Sequence, residues 1–537
     1  MAIAADLIRG ESFAKSSRAP EASLTRERVV LVTLCLVAAL TPLVFAARLF
    51  EPYIAPKEIL VQAGTATAAL LWLFTLRANG WILSRTRMWV PLLALASIAA
   101  LSTIWSVNPG VSLERAQYLS TYILLFAVAL SVLKQPDARV TLTAALTLAG
   151  AIVALYVLMQ YTFGDPIFGA GELTGKWRTF GTLGNPNWTG EFLAVAALVS
   201  LCRYVHLRTQ ASSDSAKNLT LAALILIVLA LASTLARGAW VSFLIGAAAL
   251  VLVSRGVASF RLRSFFVPVA VTMAGIAVVI VLPLFTNVAA VDHLLNLKSV
   301  NGRLWISAVT WKMIRDAPLT GHGLGTFGQL FPNYQAEALS QPWAERFIPN
   351  ASFTSYAHND YLQLWAELGI FGLLAFGVLI WMVLRRGRAL ARDPIVLGCW
   401  AAVISILVNA AVGFPLHLPT TLMLFVVLIA AVEAAVPAGV AEIRVKRIPG
   451  RVAVVLVILV LSLFAYRSSY NRYVSDSALW QASVALDDGR WTEAEREIRT
   501  AIGHSATRPE AYAMVGSRRR HNKRWWPKRY NVQRTGN

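Results

Sequence analysis

The stretch YAHNDYLQLWAELGIFGLLAFGVLIWMVLRRGR, residues 356–388, decides the fold. It opens on a polar cluster around His358, continues through an apolar segment at 361–384, and ends on Arg385, Arg386 and Arg388. A helix needs about 20 apolar residues to cross the hydrocarbon core of a membrane. In lipid every backbone polar group must be satisfied within the segment, so such a run is a helix. Basic residues at one end mark the cytoplasmic side. The segment therefore reads as a spanning helix whose histidine end faces outward.

Working outward from it, the same pattern recurs along the chain. Apolar runs fall at 29–49, 59–76, 88–105, 117–133, 140–162, 188–205, 219–235, 239–254, 264–285, 395–416, 418–435 and, shorter, 452–466. The predicted fold is all-α, a polytopic integral membrane protein of about 12–13 transmembrane helices. Composition agrees: of 537 residues, 57% are hydrophobic and 14% charged, against about 25% charged in a soluble domain.

The net charge of +21 does not point to nucleic acid, because the cations gather in alternate short loops. Arg77, Arg85 and Arg87 form one such cluster, Arg255, Arg261 and Arg263 another, and Arg444, Lys446, Arg447 and Arg451 a third. That is the positive-inside pattern, with the N-terminus inside. Cys35, Cys202 and Cys399 lie in or beside apolar runs, which argues against a disulfide framework. No small-residue cleavage site clearly follows the first run, so it reads as a retained span.

This frame divides the chain into a cytoplasmic segment at 1–28 and a membrane domain at 29–435. A linker with a last span follows at 436–466, then a tail at 467–537. Two long connections fall outside, at 163–187 and 286–360, and connections of that length are usually functional or disordered. The larger contains NGRLWISAVTWKMIRDAP, in which Leu304, Ala308 and Trp311 recur at helical spacing and Pro318 ends the pattern. Of Trp177, Trp188, Trp305, Trp311, Trp343 and Trp365, near the outer boundary, most read as an interfacial belt, with some of them able to stack on sugar rings. In the tail, 478–509 reads as a helical pair with Gly489, Trp491, Ala494 and Ala501 at tetratricopeptide-like positions. About three such repeats are needed for stability. The basic ending SRRRHNKRWWPKRYNVQRTGN reads either as a disordered arm or as an altered frame truncating a longer array.

Several polar side chains converge on the outer face. Arg237, in LASTLARGAWVSF, sits where the apolar stretch 219–254 must turn, and Gly238 would allow the turn. It is either a snorkelling arginine or an anion contact. Arg303 opens the loop helix and Arg178 lies in the other outer loop, in KWRTFGTLGNPN. The three guanidiniums offer bidentate donors suited to phosphate oxygens. His358 enters a span at a helix N-terminus, where the macrodipole disfavours positive charge and keeps the imidazole neutral and basic. Asn359 or Asp360 can cap that helix. His417, in GFPLHLP, reads as part of a tight hairpin. GLGTFG at 323–328 has dinucleotide-fingerprint spacing but no preceding strand, and reads as a turn. No Walker A, no acidic nucleotide-sugar pair and no metal-ligand spacing occurs, so neither nucleotide nor metal cofactor is implied.

The order of RTFGTLGNPN (178–187), TLARGAW (234–240), NGRLWISAVTWKMIRDAPLTGHGLGTF (301–327), AHNDYLQLWAELGIFGLL (357–374) and GFPLHLP resembles the bacterial O-antigen ligase and O-antigen polymerase superfamily, which includes O-linked oligosaccharyltransferases. The resemblance covers roughly residues 29–435. It implies a glycosyltransferase of the bacterial inner membrane with a periplasmic active face. The donor would be a polyprenyl diphosphate-linked glycan and the acceptor a hydroxyl on a lipid, a glycan or a protein, with inversion at the anomeric centre. It also implies His358 as the base and Arg237 and Arg303 as diphosphate contacts, with Arg178 and Asn359 as further substrate contacts. The tail could bind a protein partner. A lipid-linked oligosaccharide flippase or other transporter is the rival, but it should carry polar breaks near the midplane and paired halves, and neither is evident. A membrane-anchored scaffold would need no chemistry in the loops.

Overall fold

A computed structural model describes residues 21–165, 167, 179–210, 212–254, 298–351, 354–436, 440–505, 508, 510, 511 and 514. The protein is all-α, and every apolar run of the sequence except 264–285 falls on a helix; 264–285 lies outside the described residues. In order, the helices are α1 (Glu21–Leu40), α2 (Ala55–Ala78), α3 (Trp89–Leu101), α4 (Pro109–Val132), α5 (Pro136–Phe163), α6 (Pro186–Thr209), α7 (Asp214–Ser233) and α8 (Arg237–Ser254). The loop helices α9 (Lys298–Asp316) and α10 (Phe327–Leu339) follow. The chain then continues through α11 (Asp360–Leu384), α12 (Pro394–Ala410), α13 (Pro419–Ala434), α14 (Ile448–Asp487) and α15 (Trp491–His504). Among the described residues, 8 helices are long and apolar enough to cross a membrane, and α3, α12 and α13 are shorter apolar helices.

Helix α6 is the hub. Pro186 at its start carries no amide to satisfy, and the Asn185 side chain caps Asn187 N at 2.9 Å. Small residues such as Gly190, Ala194 and Ala197 let α5, α7, α8 and α12 close on it. On the periphery the pattern inverts. Phe371, Leu374, Val378 and Trp381 of α11 and Leu456, Val460 and Leu463 of α14 are exposed. Such a surface suits hydrocarbon rather than water.

The loops sort onto two ends. At one, β1 (Ile82–Thr86) pairs antiparallel with β2 (Val440–Arg444), joining two of the basic clusters. Nearby, the buried Glu433 carboxylate takes Arg386 at 3.0 Å and the Thr86 hydroxyl at 2.5 Å. Helix α14 leaves this end and, at 40 residues, is roughly 60 Å long. That is about twice the hydrocarbon thickness, so its second half stands clear at the opposite end. There Arg472 pairs with Glu51 and Glu58, Arg508 with Asp476 at 2.7 Å, and the α14–α15 hairpin packs on Phe50. The tail therefore shares an end with the 41–54 loop, and the first span stops at Leu40, short of the expected 49.

Three details of the sequence reading are corrected. The buried face of α9 is Trp305, Ile306, Val309 and Met313, whereas Leu304 and Trp311 are exposed. The periodicity was shifted by one because that face meets the loop's own core and not the bilayer. Trp305, fully buried against Trp343 and Phe347, is thus core and not interfacial belt. The turn before α8 is made by Leu235, with φ of 51°, and not by Gly238, which lies inside the helix.

Candidate active site

His358 lies in the segment that leads into α11. Its backbone φ is 53°, a left-handed conformation that costs a non-glycine residue on the order of 1–3 kcal/mol. The next residue holds it there. Asn359 Oδ1 accepts from Tyr361 N and Leu362 N at 3.0 Å each, capping α11, while its Nδ2 donates to Ala411 O at 3.0 Å. The amide predicted as a substrate contact is thus engaged at both ends by the protein. The imidazole meets the edge of Phe414, with ring centroids 5.0 Å apart. Burial, and then the nearby Arg303 charge, pushes its pKa down to about 4. The ring is therefore neutral at pH 7, through burial and the Arg303 charge.

Arg237 opens α8 and donates from Nη2 to Ser299 Oγ at 2.8 Å, which ties the α7–α8 turn to the start of α9. Arg303, one turn further along α9, has its pKa lowered by burial and by the neighbouring Arg237 charge, against the pull of Glu191. The structure thus brings His358, Arg303 and Arg237 into one electrostatic neighbourhood. Two guanidiniums so placed favour an anion between them. Arg178 lies outside the described residues; Thr179, which follows it, sits against Ser233 at the end of α7.

Sequence reasoning passed over Glu191. It stands in the second turn of α6, where a Cβ on Gly413 would come within 3.2 Å of its Oε1, and it faces the charges of Asp360 and Arg303. The signal was available: a lone acid in the apolar run NWTGEFLAVAAL is a functional candidate by default.

The broken helix α11 explains why the AELG and GHGLG motifs occur together. Gly369, at φ 67°, interrupts the helix, and the loop after α9 fills the gap. His322 N donates to Ala366 O at 3.0 Å, Gly323 N to Glu367 O at 2.9 Å, and Ile370 N to Pro318 O at 3.0 Å. The buried Glu367 carboxylate accepts from Gly325 N at 2.7 Å and from Gln363 Nε2 at 3.1 Å. GLGTFG is thus a cradle for this carboxylate and the start of α10, a turn as read from the sequence.

A cavity of about 1780 Å³ opens beside His358. Its lining includes His358, His417, Arg115 and Trp188, together with the apolar Phe126, Phe376 and Phe425. Arg237 and Arg303 are not among its lining residues. His358 thus lines the cavity and feels the charge of Arg303, which in turn neighbours Arg237.

Residues 222–377 match the O-Antigen ligase family. The match supports the O-antigen ligase and polymerase superfamily that the sequence motifs resemble. The matched segment contains Arg237, Arg303, His358 and Asn359, while Glu191, His417 and the tail lie beyond it. The match supports a glycosyltransferase-like function in polysaccharide assembly, in a membrane setting. It does not reach the tail, whose described residues form a helical hairpin (α14–α15). No curated protein matches the chain.

Proposed function

We propose that the protein transfers a glycan from a polyprenyl diphosphate carrier to an acceptor hydroxyl on the periplasmic side of the inner membrane, without nucleotide or metal. The observation that carries this reading is His358 itself, neutral, lining a large cavity and beside the charge of Arg303, which neighbours Arg237. The acceptor hydroxyl enters from the cavity. His358 takes its proton as the oxygen bonds to the anomeric carbon. The bond from that carbon to the diphosphate oxygen breaks, and the electron pair leaves on the phosphate. Arg303 and Arg237 hold that growing negative charge as a preorganised donor set. Displacement from the face opposite the leaving group inverts the anomeric centre.

The direct test is reconstitution of the purified protein in bilayers with a polyprenyl diphosphate-linked glycan and candidate acceptors. Release of polyprenyl diphosphate in step with glycosylated acceptor is expected, insensitive to chelators. Transport of the donor across the bilayer with no transfer would replace this reading with a flippase.

A further inference from the structure

The acid that follows the histidine in AHND does not serve that histidine. Asp360, 3% exposed, accepts from His417 Nδ1 at 2.7 Å and from Leu416 N at 3.0 Å. This fixes the ring of His417, with Nδ1–H held by the carboxylate. The His417 side chain is 29% exposed and lines the same cavity as His358, so Nε2 is the nitrogen left for a ligand there. Tyr356 braces the ring from the side, with centroids 5.4 Å apart, and stacks in turn on Phe414, the ring that His358 abuts. The two histidines are thus joined by one aromatic bracket but hold opposite environments. Burial disfavours charge on His417 too, but the Asp360 charge and hydrogen bond more than offset it and raise its pKa; above that pKa the ring is neutral, its proton stays on Nδ1 against Asp360, and Nε2 carries the lone pair.

We propose that His417, oriented by Asp360, is an acceptor-binding residue: its Nε2 accepts a hydrogen bond from a hydroxyl of the acceptor and sets that molecule's position relative to His358. The proposal rests on the glycosyl-transfer reading above. Asp360 is its positioning residue, since a carboxylate at Nδ1–H is what makes Nε2 a hydrogen-bond acceptor. The ligand class is a polyhydroxylated acceptor, a glycan or glycolipid with hydroxyls beside the reacting one. A lone serine or threonine hydroxyl would offer only the reacting group.

The test uses the full chain in nanodiscs, a polyprenyl diphosphate-linked disaccharide as donor, and three acceptors in parallel: lipid A–core, a dodecyl glucoside and a serine peptide. His417→Gln is expected to raise the KM for the sugar-bearing acceptors at least 10-fold, with a far smaller change in the KM for donor. Asp360→Asn is expected to do the same, because an amide at that place turns its N–H toward Nδ1 and makes Nε2 the protonated nitrogen. A purely structural role would not split the two KM values. An acceptor KM within twofold of wild type in both variants would overturn the proposal. Nitrogen NMR of labelled histidine in the wild-type protein gives an answer independent of any variant. The Nε2 signal of His417 should move on saturation with dodecyl glucoside, and an unmoved signal would also overturn the proposal. Transfer to none of the acceptors by the wild type would instead sink the glycosyl-transfer reading, and this one with it.

Discussion

Glu367 gives the sharpest stability prediction. Its carboxylate is 2% exposed and holds Gly325 N at 2.7 Å and Gln363 Nε2 at 3.1 Å, with Phe327 N further off at 3.4 Å. Hydrogen bonds to a charged group are each worth about 1.5–3 kcal/mol, so Glu367→Ala, which loses the two good ones, should cost about 3–6 kcal/mol. Glu367→Gln keeps one acceptor oxygen for Gly325 N but turns an amide N–H toward Gln363, and should lose roughly half as much. The loss is local, because the bonds tie the start of α10 to the break in α11. Amide hydrogen exchange in detergent is the matching assay, read at Gly325 and Phe327. At 1.4 kcal/mol per factor of ten, protection there should fall about 10²–10⁴-fold in the alanine variant, and less in the glutamine variant. Protection within threefold of wild type in Glu367→Ala would refute the claim that this carboxylate secures the loop that carries Arg303.

Three further outcomes are expected. Gly369→Ala would force a Cβ into the Leu319 carbonyl at a φ of 67°; the destabilisation should exceed about 3 kcal/mol, seen as a large drop in Tm, and a drop of only a degree or two would argue against the break being obligatory. Arg386→Ala strands the fully buried Glu433 carboxylate and should cost about 3–5 kcal/mol, whereas Arg386→Met with Glu433→Leu should recover most of it; denaturant titration of the single and double variants checks the order. His358 works as a base only when neutral, and with its pKa pushed down to about 4 the neutral form is lost only as pH falls through about 4. The acid limb of the pH–rate profile should therefore lie well below the ordinary histidine value. Arg303→Gln, which removes the second cause of the shift, should move that limb upward while leaving the burial part in place; a limb that stays put would separate the two residues.

The membrane frame was legible because lipid imposes a single rule on every span: an apolar run with basic residues at one end. Arg237, Arg303 and His358 stand out as candidates for the complementary reason, that polar groups beside apolar runs are conspicuous. What escaped was packing within the loops. The face of α9 was misjudged by one position because nothing local says that the loop has a core of its own around Trp305. The Asp360–His417 pair joins residues 57 apart in sequence, and only the approach of the 415–417 turn to the head of α11 reveals it. Glu191 lies in a span and not in a loop, where a lone acid among apolar residues is the only signal it gives. The interlock of GHGLG with the α11 break was out of reach, since neither glycine motif predicts the other alone.

The measurement closest to the central claim is release of polyprenyl diphosphate by His358→Ala, followed in a single turnover with donor and acceptor both saturating. Loss of a general base removes about 10²–10⁴-fold in rate, so the variant should bind donor as the wild type does yet release polyprenyl diphosphate at least a hundredfold more slowly. Release at the wild-type rate from a folded His358→Ala protein would contradict the account.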